Sequence, residues 1–266
     1  MSNDMGEASL QRTTQWNYAG PPPDACGDSE LPVSLFIIGP SRAGKSTLER
    51  LVSSMKGVKR GYENEIVQAV ARLTSDSSGL LSLQYPGQLP TALHGSFTSN
   101  YEEEVLKRAD GAKLFTITHP GLVLDIGRIA ETVPNAKFIF IERDTDDTAI
   151  RIFGKIYLKD TNFYAYDVEK IYEFLSGYSK LINSWSSVLS GVSMRLTYED
   201  MIADPEKTRV QIAEFCGMPK LKDALPDLGD DRRCAEPYLD MLKKAHAGSS
   251  PDQLGGRWVL KTKYWT

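Results

Sequence analysis

Apolar residues are set along this chain in two rhythms. Short runs at Val33-Ser-Leu-Phe-Ile-Ile38, Lys113-Leu-Phe-Thr-Ile117, Lys137-Phe-Ile-Phe-Ile-Glu142 and Ser193-Met-Arg-Leu-Thr197 read as strands, the first three apolar enough to be buried on both faces. Between them apolar positions return every three or four residues, the spacing of one helical face. Leu48, Leu51, Val52 and Met55 form one such stripe, and Ile66, Val67, Val70 and Leu73 a second. Others are Leu122 to Thr132 and the group Ile150, Ile152 and Phe153. The longest opens at Tyr166-Asp167, runs through Ile171, Phe174, Tyr178, Leu181 and Trp185 to Leu189, and closes at Gly191. A last helix starts at Asp204-Pro205, in N-cap and first-turn order, and stops at Gly217. Strands alternating with helices predict a three-layer α/β fold, a mostly parallel central sheet with helices on both faces.

Three stretches break the rhythm. Met1 to Leu31 is polar, carries Pro21-Pro22-Pro23 and has too little apolar area to fold alone, which predicts a flexible arm (1–31) before a single domain (32–266). Ser75 to Asn100 is rich in Ser, Gly and Pro and predicts an irregular excursion shaping a substrate mouth, with His94 a surface histidine. A charged helix, Tyr101 to Ala109, is expected after it, with Glu102-Glu103-Glu104 as its solvated first turn. Asp227 to Thr266 ends basic and aromatic, with Gly255-Gly256-Arg257-Trp258, and is expected to fold back as a lid or to seal the sheet.

The first strand breaks at Gly39 into a loop, Gly39-Pro-Ser41-Arg42-Ala43-Gly44-Lys45-Ser46-Thr47, that leads directly into a helix. Backbone N–H groups and the positive end of a helix dipole then converge on one spot, which is how a protein holds phosphate or sulfate. The loop satisfies G-x-x-x-x-G-K-[ST] in full, the P-loop pattern, with Lys45 placed for phosphate charge and Ser46 for magnesium. Arg42, two residues before Gly44, equally suits a 5′-phosphosulfate loop, and the loop alone leaves both anions open.

The other polar candidates fall at the carboxyl ends of strands, where open α/β sheets bind ligands. Glu63 follows Gly61 at the end of a short segment beside the sheet; burial there would raise its pKa and suit it as a general base, against the alternative of a solvated carboxylate in a charged turn. His119, just past the second strand, is a candidate base or substrate contact, or a cap of the next helix. Arg143, past the third, is placed to grip a phosphate with paired donors, or to pair only with Asp144 or Asp147.

Composition limits the partners. Lys+Arg of 31 against Asp+Glu of 35 gives a net charge of −4, so no overall basic field recruits nucleic acid or an anionic membrane, and any anion site is local. No apolar run approaches a membrane span and the first residues lack the apolar core of a signal peptide, which predicts a cytoplasmic protein. Cys26, Cys216 and Cys234, odd in number and irregular in spacing, suggest reduced thiols rather than disulfides or a zinc site, with Cys216 in the core.

From about Val33 to Pro219 the chain resembles the sulfotransferases that use 3′-phosphoadenosine 5′-phosphosulfate (PAPS), particularly bacterial members related to tetratricopeptide-linked and tyrosylprotein sulfotransferases. The loop at Gly39–Thr47 carries this resemblance, with Pro134-Asn-Ala-Lys-Phe-Ile-Phe-Ile-Glu-Arg-Asp144, Phe163-Tyr-Ala-Tyr-Asp167, and Tyr198-Glu-Asp-Met-Ile-Ala-Asp-Pro205 through Phe215-Cys-Gly217. It implies metal-free sulfuryl transfer to a hydroxyl or amine of a carbohydrate or small molecule, leaving 3′-phosphoadenosine 5′-phosphate (PAP).

On that resemblance Ser41, Arg42, Ala43, Gly44, Lys45, Ser46 and Thr47 hold the 5′-phosphosulfate, Arg143 holds the 3′-phosphate, and Tyr198 and Arg257 complete the donor site. Arg42 matches the family's loop cation, Lys45 stands where the family has threonine, and Arg151 where it has a serine that shares the 3′-phosphate. Glu63 matches the family's presumed base, while Thr116-Ile-Thr-His119 echoes the Lys-Thr-His motif of the cytosolic branch, so Glu63 ranks first and His119 second. The alternatives are a P-loop nucleotide kinase using ATP and magnesium, and a noncatalytic nucleotide-binding protein of the same fold. Oligomeric state, including a homodimer, is left open.

Overall fold

The computed structural model describes residues 31–74, 89, 91–157, 162–219 and 224–229. The predicted arm, apart from Leu31, lies outside the described residues, as do Cys26, Cys234, Arg257, most of the irregular excursion and nearly all of the terminal lid.

Five strands form one sheet: β1 (Val33–Ile38), β2 (Val58–Lys59), β3 (Leu114–Thr118), β4 (Ala136–Glu142) and β5 (Ser193–Thr197). Their order is β2-β3-β1-β4-β5 and every pairing is parallel. Eight described α-helices accompany them: α1 (Lys45–Ser53), α2 (Ile66–Leu73), α3 (Thr91–Ala109), α4 (Ile126–Thr132), α5 (Thr145–Phe153), α6 (Val168–Val188), α7 (Tyr198–Ala203) and α8 (Pro205–Cys216). The fold is thus the three-layer, P-loop-like α/β arrangement.

The strand runs are continuously apolar because both faces are covered. Phe36, Ile38, Phe138 and Phe140 point to one face and pack with α2, α3, α4 and α6. Leu35, Ile37, Ile139 and Ile141 point to the other, with α1, α7 and α8. This period of two within an unbroken run is what a doubly covered parallel strand requires. Cys216 belongs to the second core, and burial pushes its thiol up to about 12.

The chain runs from β1 to β2 and β3 on one side, then crosses to β4 and β5 on the other. That reversal opens a crevice beside the carboxyl end of β1, where the Gly39–Gly44 loop, His119 after β3 and Arg143 after β4 come together.

Several boundaries differ from the sequence expectation. Residues 91–100 are not irregular but form the first half of α3, which places Glu102–Glu104 in mid-helix. Leu93, Phe97, Tyr101 and Val105 repeat every four residues and are buried, while Gly95 sits where an added Cβ would meet nothing. Packing of that stripe outweighs the Ser- and Gly-rich composition of the outer face. Glu103 and Glu104 are supported by Lys107 at 2.8 Å and Arg108 at 3.0 Å, one turn on, rather than by a helix terminus. His94, on α3, is half-buried, its Nε2 2.9 Å from the Leu89 carbonyl.

The expected Leu122–Thr132 helix divides into a 3-10 turn, Pro120–Leu124, and α4. β2, a two-residue edge strand, has no counterpart in the sequence expectation.

Candidate active site

Gly44 takes φ 97, and a Cβ there would run into the Tyr198 ring, so the residue before α1 has to be glycine. Arg42 is also left-handed, at φ 68, and is exposed where it lines the crevice. No side chain caps α1, and the residues of its first turn, Lys45, Ser46 and Thr47, line the crevice. Ala43 faces inward: it is fully buried and its N–H is donated to the Pro40 carbonyl at 3.3 Å. The loop therefore presents Ser41, Arg42 and Gly44–Thr47 to the crevice and keeps Ala43 as its inner turn.

Lys45 lies at the base of this cradle, its ammonium donating to the Gly39 and Pro40 carbonyls at 2.8 and 2.7 Å. Burial draws its pKa down from 10.5 to about 8; Glu63 partly offsets this, while Lys155 and Arg42 add to it. The folded state thus binds fewer protons than the unfolded chain between about pH 8 and 10.5. The burial cost is fully present below about pH 8 and fades as pH rises toward 10.5, but the cation an anion needs is lost in the same window.

A second group of cations stands across the crevice. Arg143, Asp147, Arg151 and Lys155 lie four residues apart, on one stripe that runs through α5. Asp147 pairs with Arg143 through one oxygen and receives the Arg151 Nε at 3.0 Å on the other. The Arg143 guanidinium also stacks on the Tyr198 ring, 3.9 Å from its centroid. Tyr198 is 2 % exposed and is not among the cavity-lining residues; it serves as a platform between Gly44 and Arg143.

Glu63 reaches the crevice from the opposite edge, where it bridges Thr118 in parallel fashion. The burial expected for it is absent, since the residue is exposed at the cavity wall. His119 is half-buried, and this burial lowers its pKa from 6.5, with Glu63 and Glu65 opposing. Its Nδ1 accepts the Gly121 N–H at 3.1 Å, capping the 3-10 turn, so the neutral ring carries its proton on Nε2. His119 therefore caps the 3-10 turn and also lines the crevice.

These groups enclose a cavity of about 770 Å³. Its described wall carries five cations (Arg42, Lys45, Arg143, Arg151 and Lys155) and two carboxylates, Glu63 and Glu65. In a chain of net charge −4 this is a strong local concentration of positive charge. The apolar side includes Tyr157, whose hydroxyl meets Ser41 Oγ at 3.0 Å, and Tyr164, stacked on Phe174 at 4.1 Å.

Of the sequence candidates, Ser41, Arg42, Gly44–Thr47, Glu63, His119, Arg143 and Arg151 line this cavity, whereas Ala43 and Tyr198 support it from behind. Lys155 and Tyr157 were not anticipated. The four-residue spacing from Arg143 would have revealed Lys155; no comparable signal marks Tyr157.

The fold sets an anion-cradle loop at the sheet's reversal point, facing Arg143 and Arg151 across one cavity. The family model described as "Sulfotransferase family" matches residues 32–223, and the chain belongs to that family. An uncharacterized protein of Aquifex aeolicus is 25% identical over 246 residues, covering 87% of this chain but only 31% of that protein. The chain therefore spans about a third of the length of that relative.

Among solved structures, a sulfotransferase from Alicyclobacillus acidocaldarius aligns with TM-score 0.49 and 14% identity over 81% of this chain and 93% of that one. A sulfotransferase domain from the Synechococcus olefin synthase aligns with TM-score 0.47 and 18% identity, over 85% and 91%. A mouse sulfotransferase complexed with PAP aligns with TM-score 0.41 and 17% identity, over 96% and 73%.

Proposed function

We propose that this chain transfers a sulfuryl group from PAPS to a hydroxyl or amine, with Glu63 as the base. The reading rests on two cation groups that face each other across one cavity: Arg42 and Lys45 at the cradle, Arg143 and Arg151 opposite. A nucleotide with a phosphosulfate at one end and a 3′-phosphate at the other presents roughly four negative charges in two separate groups. The donor supplies the sulfuryl group; the residues of this chain orient it and manage the proton and the leaving charge.

In this reading Gly44–Thr47 and the α1 N-terminus hold the 5′ end, and Arg143 and Arg151 hold the 3′-phosphate. Glu63 takes the acceptor's proton as the new oxygen–sulfur or nitrogen–sulfur bond forms. Arg42 and Lys45 neutralise the phosphate oxygen from which sulfur departs, a preorganised stabilisation of developing charge. His119, with its proton on Nε2, donates a hydrogen bond to the reacting group rather than serving as the base.

The P-loop pattern also favours a kinase reading, in which an acid at a strand end would hold magnesium. Glu142, at the end of β4, is instead engaged by Arg195 and by Ser179 at 2.9 Å.

Calorimetric titration with PAP tests the proposal. Saturable binding is expected, equal with magnesium and with a chelator, and weakening as pH rises through about 8, where Lys45 loses its charge. Between pH 8 and 9 binding should take up protons, because a bound anion restores the Lys45 ammonium. No PAP binding, together with magnesium-dependent binding of ATP, would reverse the assignment.

A further inference from the structure

We propose that Glu49 is a positioning residue that sets the base against the cradle, an inference that rests on the reading of Glu63 as base. Nothing in the sequence pattern singles out Glu49. In the fold it is 1% exposed, one turn beyond Lys45 on α1.

Its carboxylate holds the segment that leads into Glu63. Oε1 accepts the Tyr62 N–H at 2.8 Å and the Thr116 hydroxyl at 2.8 Å, and Oε2 accepts the Arg60 Nε–H at 2.8 Å. Thr116 Oγ1 in turn accepts the Gly61 N–H at 3.2 Å, so residues 60, 61 and 62 are all fixed by Glu49, directly or through Thr116. The Arg60 guanidinium then lies over the Tyr62 ring, 4.3 Å from its centroid.

The clamp matters because this backbone is not at rest. Tyr62 takes φ 61, a left-handed conformation that tyrosine rarely adopts, and a Cβ on Gly61 would run into the Thr116 carbonyl. With Tyr62 held there, its carbonyl accepts the Thr118 N–H at 3.2 Å and Asn64 N–H reaches the Thr118 carbonyl at 3.2 Å, which presents Glu63 between them. One buried carboxylate thus links the helix that begins in the cradle to the strand end that carries the base. A side chain that merely filled space here would be apolar.

The test uses Glu49→Ala and Glu49→Gln in the full chain, the second retaining an oxygen for Tyr62 and Thr116. Hydrogen exchange is expected to rise at the amides of residues 60–64 in Glu49→Ala, less in Glu49→Gln, with residues 39–47 and PAP affinity unchanged. Hydrolysis of PAPS to PAP and sulfate, with water as acceptor and its proton passing to Glu63, should slow by about 10²-fold in Glu49→Ala. The double variant with Glu63→Gln should be no slower than Glu63→Gln alone, as for two residues acting through one group. Unchanged exchange at 60–64, equal loss of PAP binding, or additive rate losses would each overturn the proposal. Failure of the wild-type chain to bind PAP would instead remove the sulfotransferase reading, and the exchange result would still decide whether Glu49 holds the segment.

Discussion

Glu63→Gln is expected to slow sulfuryl transfer by about 10²–10⁴-fold, the usual contribution of a positioned base, while PAP binds at least as tightly at pH 6.5. Glutamine preserves the size of the side chain and its contacts, and Glu63 is exposed at the cavity wall, so the melting temperature should stay the same. What glutamine cannot do is accept the acceptor's proton. A second signature accompanies this. Glu63 supports the Lys45 charge, so its removal should move the loss of PAP affinity to lower pH than in the wild type. Stopped-flow single turnovers give the rate and calorimetry across pH gives the second signature. Undiminished transfer would move the base elsewhere, and His119→Ala would then be the variant to measure.

Arg143→Ala is expected to weaken PAP binding by about 10- to 100-fold, the range lost with a charge-assisted hydrogen bond to phosphate. The loss should be specific to the 3′-phosphate: adenosine 5′-phosphate, which lacks it, should bind wild type and variant alike. Arg143→Lys should recover little, because a lysine ammonium cannot both stack on Tyr198 and present paired donors as the guanidinium does. Comparing the affinities of the two nucleotides in each variant checks this. Equal weakening of both nucleotides would place Arg143 outside the 3′-phosphate subsite. It would then point to a structural role through Asp147, which also receives Arg151.

How much of this could be read from the chain follows from what burial does to a pattern. β1, β3 and β4 were plain because a strand covered on both faces must be apolar throughout, and few other elements are. The cradle was plain for the same reason: a strand, a glycine-framed loop and an amphipathic helix fix its geometry locally. β2 could not be seen, since two residues at a sheet edge leave no period. The first half of α3 was hidden because its outer face, with Gly95, Ser96 and Ser99, looks like a loop, and only the spacing from Leu93 to Val105 reveals the helix.

The site was half legible. Lys155 could have been found by counting four residues from Arg151. The roles of Glu49 and Tyr198 could not, because they depend on which strands are brought beside them. The burial of Glu49 follows only from Arg60, Tyr62 and Thr116 being brought around it. The expectation that Glu63 would be buried failed in the same way, since exposure at a cavity wall is a property of the assembled fold.

We propose that the cradle and the facing arginines hold a donor whose sulfuryl group leaves for another molecule. The most direct measurement incubates the chain with PAPS carrying radiolabelled sulfur, in a chelator, against phenols, sugars, aliphatic alcohols and a metabolite extract. Label is expected to move to an acceptor in step with PAP release, at the same rate when magnesium replaces the chelator. PAPS bound at saturation with its label retained against every acceptor would contradict it, and would leave a nucleotide-binding protein that does not turn its ligand over.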